Sequence, residues 1–288
     1  MCNSRVVCIL KLIRKRMGRV IYALCLLMVG VVCLTACAVS SDNGKTEDVQ
    51  NAETLQVVTT VFPPYDFVKE IGGEYVEVRM LLVPGMESHS YEPTPKDMIS
   101  VVESDLFLYA GGESDVWVDE LLEGEAANVR ACAMIDWVDA VAEEHIEGMQ
   151  MREGHVHTGK DAVCYDEHEE GMHVHEEYDE HVWTSPKNAI VIAEHICKEL
   201  AALDKEHADV YEKNTKAYIA KLQKLDAEFT ETIATAKRKE LLFGDRFPFR
   251  YMTESYGLSY YAAFPGCSSE TEPSAATLAF LVDKIVTP

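Results

Sequence analysis

From Leu55 onward the apolar positions switch between a strand-like and a helix-like period. Leu55-Gln-Val-Val-Thr-Thr-Val61 is a β-branched run that predicts a buried strand, and Phe62-Pro-Pro-Tyr65 opens helical spacing that runs to Ile71-Gly72-Gly73. Val76 to Val83 predicts a second strand ending at Pro84-Gly85, Pro95 to Glu103 a helix, and Asp105 to Gly111 a third strand ending in glycines. Strands alternating with helices in this way predict a parallel sheet covered on both faces. Ligands of such sheets sit at the carboxyl ends of the strands, which is where the Pro84–Pro95 loop falls.

The pattern then changes. Asn188 to Leu203 and Ala208 to Lys239 both show helical spacing with no strand between them, and Ser185-Pro186 offers an N-cap followed by proline at the first helical position. A second α/β unit follows, with strands at Glu240–Gly244 and Leu258–Phe264 and helices at Phe249–Tyr256 and Ala275–Ile285. The predicted fold class is therefore α/β: two lobes with parallel sheets, residues 55–184 and 241–288, joined by a long helical connector over 185–240. Two strands and two helices are few for a second lobe, which is expected to be small or truncated. No solenoid repeat is visible.

The start of the chain differs from the rest in charge. Residues 1–36 carry six basic side chains and no acid, although the whole chain has 49 acidic against 26 basic residues. This basic start runs into an apolar stretch, Ile21 to Leu34, that is shorter than the roughly 20 residues of a spanning helix and suits a signal peptide. Met17 offers an equally good start. Leu34-Thr35-Ala36-Cys37 resembles a bacterial lipoprotein signal, so Cys37 is the expected lipidated first residue, followed over 37–54 by a polar, aperiodic tether. The location implied is extracytoplasmic, anchored to the cell membrane through lipid.

A formal charge of -23 leaves no basic face for a phosphate backbone and excludes nucleic acid as a partner, while favouring cationic ligands. Beyond the leader the cysteines are Cys37, Cys132, Cys164, Cys197 and Cys267, with no CxxC spacing and no disulfide framework indicated.

Histidine carries the chemistry. Seven of the ten histidines lie between His145 and His181, interleaved with Asp and Glu in an acidic loop over 143–180, and His155-Val-His157 and His173-Val-His175 repeat a His-x-His pattern. Taken singly, each reads equally well as an incidental histidine in a solvated acidic loop. Together they form a metal-binding composition, and imidazole with carboxylate suits zinc, copper or nickel better than calcium or magnesium. His89, at the end of a predicted strand, and His181, in Asp179-Glu-His-Val-Trp-Thr-Ser-Pro186 just before a helix, sit at open loop ends where a scaffold presents ligands.

Through Pro84-Gly85 to His89-Ser-Tyr-Glu-Pro-Thr-Pro95, through His181-Val-Trp-Thr-Ser-Pro186 and through the long helix that follows, the chain resembles the zinc and manganese substrate-binding lipoproteins of bacterial ABC importers. The resemblance runs from about Val57 to the end. It implies two α/β lobes with a metal held between them, His89 and His181 as ligands, a membrane permease as partner and a monomer. It also implies a third histidine where Arg246 stands and an acidic fourth ligand beyond Pro288, so the chain is expected to continue. Arginine has no free lone pair and cannot take the histidine's place. Replacement donors are Cys267, favoured because a glycine-preceded loop at a strand end can present a thiolate, then Glu272, His173 or His175 folding back from the loop, and Asp245 or Glu270.

The expected ion is zinc, with manganese the alternative; manganese prefers oxygen donors and has little use for so many imidazoles. The expected role is capture and delivery rather than catalysis. A zinc hydrolase is the rival from another class, but no His-Glu-x-x-His or Gly-x-Ser-x-Gly motif is present. A surface zinc buffer or adhesin, acting in cell adhesion, is the other.

Overall fold

A computed structural model of the chain describes residues 54–149, 178–268 and 272–286, all within one compact unit. The leader, Cys37, the tether, Cys164 and the loop histidines His155, His157, His168, His173 and His175 lie outside the described residues.

The first sheet has four parallel strands in the order β2-β1-β3-β4: β1 (Leu55–Thr59), β2 (Val76–Met80), β3 (Leu106–Tyr109) and β4 (Ala131–Ala133). Strand β1 shows why the run is apolar throughout. Val57 packs on one face with α1 (Phe62–Gly72), while Val58 packs on the other with Val101 of α2 (Pro95–Val102) and with Val118 and Leu121 of α3 (Val116–Glu123). A strand covered on both faces reads as continuous hydrophobic sequence rather than alternation. The predicted sheet is present with one strand more than the sequence reading found. Ala131-Cys132-Ala133 is a short edge strand without β-branched residues, and α3 is two turns rich in acids, so neither leaves a strong periodic signal.

The 185–240 region is two helices, α4 (Pro186–Leu203) and α5 (Ala208–Thr235), that pack on each other. Ala189, Ile192, Ala193, Ile196 and Leu200 give α4 its buried stripe against the first lobe's core. Pro186 takes the first turn as expected, but the Ser185 hydroxyl does not cap the helix. It bonds the Ser255 hydroxyl at 2.8 Å, tying the connector to the second lobe.

Helix α5 has 28 residues, about 42 Å at 1.5 Å per residue, long enough to touch both lobes. Towards its start Asn214 donates to the Ile71 carbonyl at 2.9 Å and Tyr218 packs on Phe67; towards its end Phe229 packs on Tyr256, and Asp226 accepts from the Tyr256 hydroxyl at 2.9 Å.

The second sheet pairs β5 (Glu240–Phe247) with β6 (Ser259–Pro265) in parallel, with α6 (Arg250–Tyr256) between them and α7 (Ala275–Val286) after them. Strand β5 continues past Gly244, where the sequence reading ended it. Phe243 faces Ala262 and Arg246 faces Phe264, so β5 holds one extra residue between them. Such a bulge re-aims the side chains beyond it. Among the described residues no helix is long and apolar enough to cross a membrane.

Candidate metal centre

The first histidine is presented by a capped loop. Beyond β2 the chain runs through a 3-10 turn at Ser88–Ser90 and enters α2 through a capping box: the Asp97 backbone N–H donates to Thr94 Oγ1 at 3.3 Å and the Thr94 N–H to Asp97 Oδ2 at 3.1 Å. The Tyr91 hydroxyl donates to the same Asp97 oxygen at 3.1 Å, and Arg79 pairs with Asp97 at 3.2 Å. The loop is thereby fixed at its far end, and His89 is held with only 8% of its side chain exposed.

The second histidine enters from the acidic loop's return. Asp179 donates its N–H to the Val141 carbonyl at 3.0 Å beside an antiparallel bridge from Ala142 to Tyr178. The Tyr251 hydroxyl of α6 accepts from the Val141 N–H at 3.2 Å and donates to the Asp179 carbonyl at 2.6 Å. His181, 8% exposed, follows at once and leads through a 3-10 turn into α4.

The rings of His89 and His181 lie 5.4 Å apart between centroids. Each is oriented by a partner on Nδ1. Ser114 donates its backbone N–H to Glu180 Oε2 at 3.0 Å and its hydroxyl to Glu180 Oε1 at 2.5 Å. With that proton committed, the 2.9 Å contact between Ser114 Oγ and His89 Nδ1 makes the imidazole the donor. Asp179 Oδ1 accepts from His181 Nδ1 at 3.0 Å and from the His181 backbone N–H at 2.8 Å. Both assignments leave Nε2 as the free lone pair, the arrangement in which histidine ligates a metal while its other nitrogen is held.

Electrostatics favour a cation here. Asp115, Asp179 and Glu180 are all nearly fully buried. Burial raises the Asp115 pKa to about 7, helped by the Glu180 charge and opposed by the Gly111 and Ala110 backbone. Burial also lowers the pKa of His89, with Glu180 opposing and His181 and Arg246 adding to the fall. For His181, burial is outweighed by the hydrogen bond and charge of Asp179, with Glu180 and Glu143 behind, and its pKa is raised.

Two groups of donor atoms lie within 4.8 Å of one another among the described residues: His89, Glu180 and His181, and Asp179, His181 and Cys267. Of the residues expected from sequence, the structure therefore brings His181 together with His89 in one group and with Cys267 in the other. The Cys267 N–H donates to Glu143 at 2.8 Å, and burial among Glu143, Glu180 and Asp179 pushes its thiol well up. Glu272, also expected as a donor, is exposed and in neither group. Asp245 lines the cleft with Arg246, whose guanidinium meets Glu87 at 2.9 Å.

Asp179, Glu180 and Ser114 were not singled out from sequence. The available signal was an acid pair directly before the motif histidine, which reads in sequence as more of the acidic loop.

Gly266, at the end of β6, touches this centre. A Cβ there would lie 3.0 Å from the Phe247 carbonyl, 3.1 Å from Asp179 Oδ2 and 3.3 Å from His181 Nδ1. Gly266→Ala is expected to cost about 1–3 kcal/mol in a thermal melt through overpacking. By displacing the Asp179–His181 pair it is also expected to weaken metal binding about tenfold in a titration.

A cleft of about 500 Å³ opens over the two rings, walled by Ser88 and Glu87 from the first lobe's loop, Trp183 and Thr184 beside α4, and Arg246 and Phe249 from the second lobe. Two α/β lobes, a helix touching both and a histidine-bearing cleft between them define a bilobal ligand-binding protein. The chain belongs to the family described as zinc-uptake complex component A, periplasmic, which matches residues 57–287.

It is 34% identical over 272 residues to the high-affinity zinc uptake system protein ZnuA of Bacillus subtilis, covering 93% of this chain and 76% of that protein. It is 33% identical over 235 residues to the zinc-binding lipoprotein AdcA of Streptococcus pneumoniae, covering 80% of this chain but 43% of that protein, so the chain spans less than half the length of that relative. The crystal structure of the Zn(II)-bound ZnuA-like domain of the same AdcA superimposes with a TM-score of 0.61 at 31% identity, covering 81% of this chain and 75% of that one. The predicted two-lobe α/β class agrees with this likeness.

Proposed function

We propose that the chain captures zinc outside the cytoplasm and hands it to the membrane permease of an ABC importer, acting as a monomer tethered by lipid on Cys37, and that it binds its cargo without transforming it. The proposed ligands are His89 and His181 through Nε2, with the Glu180 carboxylate as third donor. One observation carries this reading: two imidazoles from distant segments converge on one cleft, each held at Nδ1 by a hydrogen-bond partner, half-buried Ser114 for His89 and buried Asp179 for His181. Family membership and zinc-named relatives support the same ion. Two nitrogen donors favour zinc over manganese, whose preference is for oxygen. Cys267 is left out of the proposed set: its donor atom groups with Asp179 and His181 but not with His89, and a thiolate there would join three acids. The loop histidines, His173 and His175 among them, are proposed to gather zinc near the cleft rather than to hold it there.

The test is calorimetric titration with zinc and with manganese, on the chain and on a form lacking residues 150–177. One tight zinc site per chain, kept without the loop and far weaker for manganese, is the expected result. Several weak sites that vanish with the loop would replace this proposal with a surface zinc buffer.

A further inference from the structure

A charge pair outside the proposed donor set spans the cleft. Glu87 stands in the first lobe's loop just before His89, and Arg246 on β5 of the second lobe; their side chains meet at 2.9 Å, and both line the cleft with His89 and His181. The backbone of β5 is shaped to place this guanidinium. From Phe243 to Arg246 β5 takes three steps where β6 takes two, from Ala262 to Phe264, so Arg246 rather than Asp245 stands opposite Phe264. Asp245 lines the same cleft, but its carboxylate accepts the Arg246 backbone N–H at 2.8 Å, and the guanidinium's ion pair is with Glu87.

Other ties of the second lobe run to the connector and to the return of the acidic loop: Ser255 bonds Ser185, Tyr256 bonds Asp226, and Tyr251 bonds the Asp179 carbonyl. The Glu87–Arg246 pair instead joins the second lobe to the loop that carries His89. A guanidinium fork on a carboxylate is directional as well as charged. With Arg246 18% exposed and Glu87 46%, the pair sits at the rim, where water screens it in part.

We infer that Glu87 and Arg246 form a latch across the cleft: they donate nothing to zinc, but they hold the His89 loop against the second lobe and so set how fast the ion enters and leaves. The inference rests on the zinc reading above and adds two positioning residues to that site. Bilobal binding proteins close around their ligands by hinge or shear motion, and a tie between the ligand loop and the opposite lobe has to break before the ion moves. Charge without a latch gives a different result. Removing the Arg246 cation beside a cation site strengthens the attraction for zinc, and removing the Glu87 anion weakens it. Charge alone therefore slows release in Arg246→Gln and slows capture in Glu87→Gln, whereas loss of a latch speeds both steps in both variants.

The test is stopped-flow kinetics on the full chain. Release is read by transfer of bound zinc to excess chromophoric chelator, and capture by tryptophan emission, Trp183 lying 5.6 Å from the His181 ring between centroids. Release is expected to be about fivefold faster than in the parent in Arg246→Gln and in Glu87→Gln alike, the rate equivalent of a partly exposed ion pair. Capture is expected to quicken in both. The charge-reversed double variant, Glu87→Arg with Arg246→Glu, rebuilds the pair and is expected to bring release back to about the parental rate, so the inference does not depend on either single variant folding. Unchanged or slower release in Arg246→Gln, unchanged or slower capture in Glu87→Gln, or a double variant as fast as the singles would overturn the latch while leaving the zinc reading standing. A parent chain that takes up no zinc would overturn both.

Discussion

A chain carrying His89→Ala and His181→Ala together is expected to lose tight zinc binding altogether, with its affinity falling about ten-thousandfold. Zinc held by about four ligands in small proteins is worth roughly 10–16 kcal/mol, or about 3 kcal/mol and a hundredfold per ligand. Both rings line one cleft, so losing the two together would leave the ion with Glu180 and water. The same loss is visible in stability. A ligand at about a hundred times its dissociation constant stabilises the native state by about 2.7 kcal/mol, so zinc should raise the melting temperature of the parent and leave the double variant unmoved.

Folding is not expected to fail. Neither ring belongs to the four apolar clusters that make up the core. His89 is the cleaner single change, because Asp179 keeps the backbone N–H of residue 181 as a donor in either variant but loses the ring in the other. A double variant that still bound one zinc as tightly as the parent would remove the cleft from consideration and place the ion elsewhere.

The strands and helices that position this cleft were legible because each buries an unbroken or regularly spaced apolar stripe. Leu106, Phe107 and Leu108 are all fully buried, so β3 reads as a continuous run, and Ile192, Ile196 and Leu200 give α4 its fourth-residue spacing. The fourth strand failed to show because an edge strand of Ala131-Cys132-Ala133 has little side chain to pattern. His89 and His181 were legible because each stands in a loop with Pro, Ser and Thr around it.

Their orienting partners were not. Ser114 reaches Glu180 and His89 only because Gly111 and Gly112, at φ of 80° and 100°, turn the chain back after β3, and a Cβ on Gly112 would meet Glu180 at 3.0 Å. That contact joins residues far apart in sequence, and no local pattern encodes it. Arg246 was visible as a departure from the family motif, but its partner Glu87 was not. The bulge that sets the side chains of β5 beyond Phe243 depends on pairing with β6 rather than on any residue type.

Acidification separates zinc binding from stability, and Asp179 controls where. Zinc takes the neutral imidazole, so proton and zinc compete for each Nε2. His181 has a pKa raised above 6.5, because Asp179, with Glu180 and Glu143 behind it, outweighs the effect of burial. For the metal-free chain a raised pKa means that this histidine's contribution to stability is full below the ordinary imidazole value and is lost as pH rises through the higher folded value. His89 has the opposite sign: burial lowers its pKa, so it favours the fold when neutral and opposes it as the pH falls. The two contributions oppose each other in sign in the metal-free protein.

Zinc affinity has no such opposition. It is full above the raised His181 pKa, falls about tenfold per pH unit below it, and falls more steeply once His89 also protonates. A progressive loss as the pH falls through the raised His181 pKa, steepening at more acid pH, is expected in titrations against a competing chelator. Asp179→Asn keeps an acceptor for His181 Nδ1 but removes the charge. It should weaken zinc binding about tenfold at the alkaline end, where ligand basicity matters. It should also shift the onset of acid loss to lower pH, so that the two curves converge on acidification. Parallel curves across that range would mean that Asp179 does not set the protonation of His181, and that another group controls the acid release of zinc.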